Sequence, residues 1–221
     1  MIINDCMLDL EASMDLEPAA TPWYDMSRYH TNGVVTGATW EQHSSGLWYK
    51  EFNSATPDYV VVTCPQCDFT GEDYSILARI KISSLASHRI IFQRGLLNTD
   101  GYMFRVHAGG YLQSETYQAA ASQLSMSAAT AIAVDTSYTV GLSREGNSIR
   151  VYRDGVDITV TVGNHIDPTS SVRTGKIGIH DNLIDTPFDG EISFFKIFNY
   201  ALTAGQQRNW HNKINYLYGG V

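Results

Sequence analysis

Phe188-Asp189-Gly190-Glu191-Ile192-Ser193-Phe194-Phe195-Lys196-Ile197-Phe198-Asn199-Tyr200-Ala201-Leu202 is the stretch that decides the fold. Asp189-Gly190 opens it as a turn. The β-formers that follow carry apolar residues on both faces, as expected of a strand in the middle of a sheet. Simple alternation puts Ile192, Phe194 and Phe198 on one face and Phe195 and Ile197 on the other. After Leu202 the chain leaves the sheet. Thr203, with Gln206 three residues on, has the form of a capping box opening a short helix. In that helix Gln207, Trp210, Ile214 and Leu217 recur at helical spacing, so Trp210 and Ile214 are expected to pin it to the sheets.

Working outward, residues 4–10 alternate as a first strand, with Cys6, Leu8 and Leu10 on one side, and residues 12–22 read as a loop. Further strands are predicted at residues 34–40, 47–52, 59–63, 74–82, 88–94, 101–107, 111–116 and 175–180. Residues 119–134 are undecided, because their alanines suit a helix and their serines and threonines a loop. Residues 138–162 read as three antiparallel strands joined at Gly146-Asn147 and Asp154-Gly155, dipeptides suited to II′ and I′ turns. Short strands at this spacing predict an all-β, two-sheet antiparallel jelly-roll sandwich with a short C-terminal helix, forming one domain over residues 1–221.

The formal charge of -8, from 15 basic and 23 acidic residues, excludes affinity built on phosphate neutralisation, so no nucleic-acid partner is expected. No apolar run is long enough for a membrane span, and residues 1–6 lack the basic start of a secretory signal. Cys64-Pro65-Gln66-Cys67 is the only dense cysteine pair. It can be a pair of inert loop thiols, a local disulfide, or half of a metal site that lacks its second pair.

Three motifs resemble the laminin G-like, concanavalin A-like lectin and glucanase superfamily. They are Asp25-Met26-Ser27 with Gly37 and Trp40, the turn Tyr152-Arg153-Asp154-Gly155, and the closing run from Gly190 to Thr203. The resemblance spans nearly the whole chain and implies the sandwich fold and, in many members, carbohydrate binding. It departs at Ser193, where the family often has Asp, and at Lys196, where it often has Arg. An acidic residue near that place helps related glucanases hold a structural calcium. Its loss leaves Asp189, Asp25 and Glu11 as the remaining candidate ligands, and no metal is assigned.

The glucanase strand Glu-x-Asp-x-x-Glu is missing, so the pair of carboxylates that glycoside hydrolysis needs is not supplied within one strand. Neither a Gly-x-Ser-x-Gly nucleophile nor a phosphate-binding glycine loop is present. No catalytic residue is therefore assigned, and a binding surface is expected instead. Trp23, Tyr24, Tyr111 and Tyr117, which strand alternation leaves unexplained, are the candidate ligand-binding aromatics, with Trp23 and Tyr24 alternatively plugging the sandwich edge. The expected role is a non-catalytic lectin-like component of a virus particle, such as a phage head decoration, fibre or tail-associated protein. Its partners would be itself or other virion subunits and host glycans. The alternatives are a stand-alone carbohydrate-binding module of a polysaccharide-degrading system and a glycoside hydrolase.

Overall fold

A computed structural model describes residues 6–11 and 22–218, so the expected loop at 12–22, apart from Pro22, and the start of the first strand at residues 4–5 lie outside the described residues. In chain order the elements are β1 (Cys6–Glu11), β2 (Val34–Thr36), β3 (Thr39–Gln42), β4 (Trp48–Phe52), β5 (Tyr59–Val62), β6 (Tyr74–Ile82), β7 (Arg89–Arg94), β8 (Tyr102–Val106), β9 (Leu112–Gln118), β10 (Ala121–Ser127), β11 (Ser137–Glu145), β12 (Ser148–Arg153), β13 (Val156–Asp157), β14 (Thr159–Thr161), β15 (Gly175–Ile177), β16 (Gly190–Phe198) and α1 (Ala204–Leu217). They form two antiparallel sheets. The first runs β13-β12-β11-β6-β16-β4-β3 with β1 added beside β16, and the second runs β14-β10-β9-β8-β7-β15-β5-β2. The expected two-sheet jelly roll with one C-terminal helix is the fold observed.

β16 occupies the middle of the first sheet, as its two apolar faces require. It pairs along its whole length with β6, and on its other side with β4 at its start and β1 at its end. The assignment of its faces needs a correction. The register against β6 shifts between Ile192 and Phe194, so Ser193 is an extra residue. A bulge of this kind reverses the alternation beyond it. Ile192, Phe195 and Ile197 therefore share the core between the sheets, while Phe194 and Phe198 face outward with Leu77, Leu202, Ile214 and Tyr218. Helix α1 lies over this outer cluster, with Trp210 against Phe194 and Phe198 at 6.3 and 5.8 Å between ring centroids. The bulge also orients Ser193 so that its carbonyl accepts the Tyr218 hydroxyl at 3.2 Å.

The capping box forms as expected: the Thr203 N–H donates to Gln206 Oε1 at 2.8 Å, and Thr203 Oγ1 accepts from the Gln206 N–H at 3.3 Å. Gln207 is buried and donates to Ser143 Oγ at 3.0 Å. Leu217, on the same predicted stripe, is instead 43% exposed. Among the described residues no helix is long and apolar enough to cross a membrane.

Three segments differ from the sequence reading. The strand expected over residues 34–40 is split at Gly37, whose φ of +77° turns the chain from β2 in the second sheet to β3 in the first. A side chain there would collide with Asp58 Oδ1. The last strand of the meander is likewise divided. β13 stays beside β12, and β14 crosses to pair with β10, with the Asp157 carboxylate accepting the Thr159 N–H at 2.9 Å in between. Residues 121–127, undecided from the sequence, are strand β10, because pairing with β9 across a tight turn at Ala120 (φ 59°) outweighs alanine's helix preference. Of the three readings of Cys64 and Cys67, the disulfide is the one found. It closes a single turn whose carbonyls receive Arg94 and the Tyr102 hydroxyl, at 3.2 and 2.8 Å.

Candidate binding site

Of the four aromatic residues expected to form a ligand surface, Trp23 and Tyr117 are fully buried. Trp23 packs edge-on to Trp40 at 6.2 Å, and Tyr117 forms a small cluster with Ile90 and Met103. Neither presents a ring face to solvent, which corrects their assignment. Both are explained by packing, since large rings gain most from complete burial. Tyr24 is 43% exposed, and Tyr111 is half-buried with its ring 5.4 Å from that of His107. Among the described residues no ring contact joins Tyr24 to Tyr111, so the four do not make one site.

The acids considered for calcium do not converge either. Asp25 accepts the N–H groups of Asp9, Ser27 and Thr31 and the Ser27 hydroxyl, at 2.7–2.9 Å, so its oxygens already hold the Asp-x-Ser turn. Glu11 lies 2.5 Å from Lys196 Nζ, which also pairs with Asp9 and supplies there the positive charge a cation would bring. Asp189 faces Arg89 at 3.7 Å. Among the described residues no group of three potential metal ligands is assembled. The donor set does not fit calcium, which wants several free oxygens.

What the fold does assemble is a cleft of about 420 Å³ on the outer face of the first sheet, beside the end of α1. Its lining comes from the turn after β3 (His43, Ser44, Ser45), from β6 (Arg79, Lys81), from the approach to β11 (Asp135, Thr136, Ser137) and from Tyr218. The period-two pattern of β6 buries Ile76, Ala78, Ile80 and Ile82 between the sheets, which places Arg79 and Lys81 outward. Glu191 precedes the bulge and stands opposite Lys81, giving an ion pair at 2.8 Å. The His43 Nε2 lies 3.6 Å from the other Glu191 oxygen, and its ring lies tilted against Tyr49, 4.3 Å between ring centroids. Burial pushes His43 below the ordinary imidazole range, with Glu191 opposing the shift and Arg79 and Lys81 adding to it.

Arg79 forms part of the cleft wall. It is 6% exposed, and Tyr218, fixed by its bond to the bulge carbonyl, lies over it with the guanidinium carbon 5.0 Å from the ring centre. Burial lowers its pKa. Next to the cleft, Glu51 on β4 stands directly across from Glu191 on β16. Burial, reinforced by the Glu191 charge, pushes Glu51 up to about 7. A carboxylate pair missing from any single strand is therefore formed between two strands. Only the pairing of β4 with β16 reveals it, and the sequence carries no local signal of that.

A two-sheet jelly roll with a polar cleft on one face and a terminal helix beside it defines a lectin-like β-sandwich. The sequence model of the concanavalin A-like lectin/glucanases superfamily matches residues 54–206, and the chain belongs to that superfamily. No curated protein matches it. Among solved structures it is similar to the binding domain of Paraclostridial Mosquitocidal Protein 1 (TM-score 0.74, 14% identity, 96% of this chain and 52% of that one). It is also similar to the botulinum neurotoxin serotype G binding domain (TM-score 0.71, 11% identity, 95% and 51%). A third likeness is to the Trypanosoma rangeli sialidase (TM-score 0.66, 17% identity, 95% and 33%). The chain thus spans about half the length of the toxin binding domains and a third of the sialidase. At these identities the likeness is one of fold.

Proposed function

We propose that the protein is a non-catalytic recognition module that binds carbohydrate in the cleft lined by His43, Arg79, Lys81, Asp135 and Tyr218. The observation that carries this reading is the cleft: an open depression of about 420 Å³ whose wall combines serine and threonine hydroxyls, both signs of charge and an aromatic residue. Small polar ligands are held by such a few convergent groups in a preformed cavity. The toxin neighbours are binding domains, and they lend support through shared fold. The Cys64–Cys67 disulfide fits work outside a reducing cytoplasm, where glycans are met. A place on a virus particle, as a self-associating or shell-attached subunit that engages host glycans, is part of the proposal and rests on the sequence expectation alone.

One observation favours a second reading. Glu51 and Glu191 face each other across neighbouring strands, and Glu51 is partly protonated near neutral pH, as an acid catalyst of glycoside hydrolysis would be. A single experiment separates the two. On a glycan array the wild-type protein is expected to retain a subset of saccharides, and the same saccharides incubated in solution are expected to release no reducing ends. Release of reducing ends that stops in Glu51→Gln would replace the binding reading by the hydrolytic one. Failure to retain any glycan, with no release, would sink both.

A further inference from the structure

Taking the cleft to be a saccharide site, we infer that its ligand is acidic: the Arg79 guanidinium receives a carboxylate carried on a sugar ring, as in a uronic acid. Among the described residues four arginines are buried, and three of them are matched. Arg89 donates to the Ser84 and Pro187 carbonyls and faces Asp189 at 3.7 Å. Arg94 donates to the Cys64 and Ser171 carbonyls and pairs with Asp68 at 3.3 Å. Arg144 donates to the Gly146 and Thr70 carbonyls and pairs with Asp167 at 2.5 Å. Arg79 is the exception. Only 6% exposed, its side chain has no hydrogen bond and no ion pair among the described residues, and its one close partner is the face of Tyr218. Asp154 and Glu191 act on it only from beyond ion-pair distance, and a cation desolvated without a hydrogen-bonded counter-ion is costly, so proteins keep such groups where a ligand completes them.

The guanidinium fork matches a carboxylate in two parallel hydrogen bonds. Charge around the cleft narrows the choice of anion. Lys81 is paired with Glu191 at 2.8 Å and has Asp135 near it as well, whereas the acids that act on Arg79, Asp154 and Glu191, do so from beyond ion-pair distance. One cation without a close counter-ion is matched by a monoanion, whereas a phosphate monoester, which carries close to two negative charges, would leave excess negative charge beside these acids. The remaining lining, from Ser44, Ser45, Thr136, Ser137 and Asp135, offers the hydroxyls and the carboxylate acceptor that ring hydroxyls need. The volume of about 420 Å³ lies within the range of small-molecule sites.

The test is calorimetric titration with oligosaccharides ending in glucuronate or galacturonate. Each is compared with the same oligosaccharide after reduction of the carboxyl group to a primary alcohol, and with sulfated counterparts. The acidic member of at least one pair is expected to bind at least tenfold more tightly than its reduced partner. Arg79→Gln is expected to erase that difference, while Arg79→Lys keeps part of it. Without ligand, Arg79→Gln is expected to melt at or above the wild-type temperature, since it removes an unmatched buried charge. A clear fall in that melting temperature would mean that Arg79 has a structural partner, and would overturn the inference. Equal binding of acidic and reduced sugars, unaffected by Arg79→Gln, would overturn the inference and leave the saccharide reading standing. Preference for sulfated over carboxylated sugars would overturn the carboxylate assignment, and no binding of any saccharide would overturn both inference and reading.

Discussion

Phe195→Asp is expected to leave no cooperatively folded protein, whereas Phe194→Asp, one residue earlier, is expected to leave the sandwich intact and release helix α1. Phe195 is fully buried between the sheets, 5.3 Å from the Phe92 ring. Losing the ring alone costs about 3–5 kcal/mol. An unpaired carboxylate in that interior adds several more, which together approach the whole stability of about 5–15 kcal/mol typical of a domain. Phe194 is as well hidden, at 2% exposure, but by the helix and not by the second sheet. Once the helix lifts, a carboxylate at this outward position stands in water and not in a closed interior, so it escapes the burial penalty that Phe195→Asp incurs. Circular dichroism and urea titration check this. Phe195→Asp should show no cooperative transition, and Phe194→Asp should show a β-type spectrum, less helix and a transition at lower urea. If both variants behaved alike, the bulge at Ser193 would not exist as described.

Acidification is expected to cost the protein about 3 kcal/mol through a single residue, His165. Its ring is fully buried between the Thr116 and Ser125 hydroxyls, each 2.9 Å from a ring nitrogen. Burial, helped by Arg144, pushes it down from 6.5 to about 4. The sign follows from where the proton goes. Between pH 6.5 and about 4 the unfolded chain takes up a proton that the folded protein refuses, so stability falls as pH falls through that window and the loss is complete below it. The gap amounts to about 3 kcal/mol at 1.36 kcal/mol per pH unit. Glu51 works in the opposite direction, because its raised value makes the folded state gain a proton first as pH drops from about 7. Comparison with His165→Gln cancels that contribution, since Gln can hydrogen-bond both hydroxyls and does not titrate. Urea unfolding at pH 7 and pH 4.5 should show the wild type losing about 2–3 kcal/mol more than the variant. Equal losses would contradict the burial of a neutral His165.

Much of the fold was legible because its signals are local. Gly190 to Phe198 reads as a central strand from composition, Thr203 and Gln206 as a cap from spacing, and Asp154-Gly155 as a turn because both residues must take positive φ, as they do at 52° and 74°. Features that depend on partners were not legible. Nothing in Ile192-Ser193-Phe194 announces a bulge, so strict alternation misplaced Phe194. Gly37 and Ile158 look like interior strand positions, yet the chain changes sheets there. β10 owes its strand conformation to β9.

The site was less legible than the fold for the same reason. Trp23 and Tyr117 were conspicuous in the sequence because they are large, and that is also why the core takes them. Arg79 was visible only as the polar side of an alternating strand. Its significance comes from Tyr218, far along the chain, lying over it, and from the lack, among the described residues, of the ion-paired carboxylate that its fellow buried arginines each have. The Glu51–Glu191 pair likewise exists only across two strands.

The most direct measurement is chemical-shift mapping of the isotope-labelled protein during titration with the saccharides retained on the array. The account predicts that the amides of Ser44, Ser45, Arg79, Lys81, Asp135, Thr136 and Ser137, together with the Arg79 side-chain resonance, shift together and saturably. Shifts centred instead on Tyr24 or Tyr111, or no saturable shifts in the cleft, would contradict it.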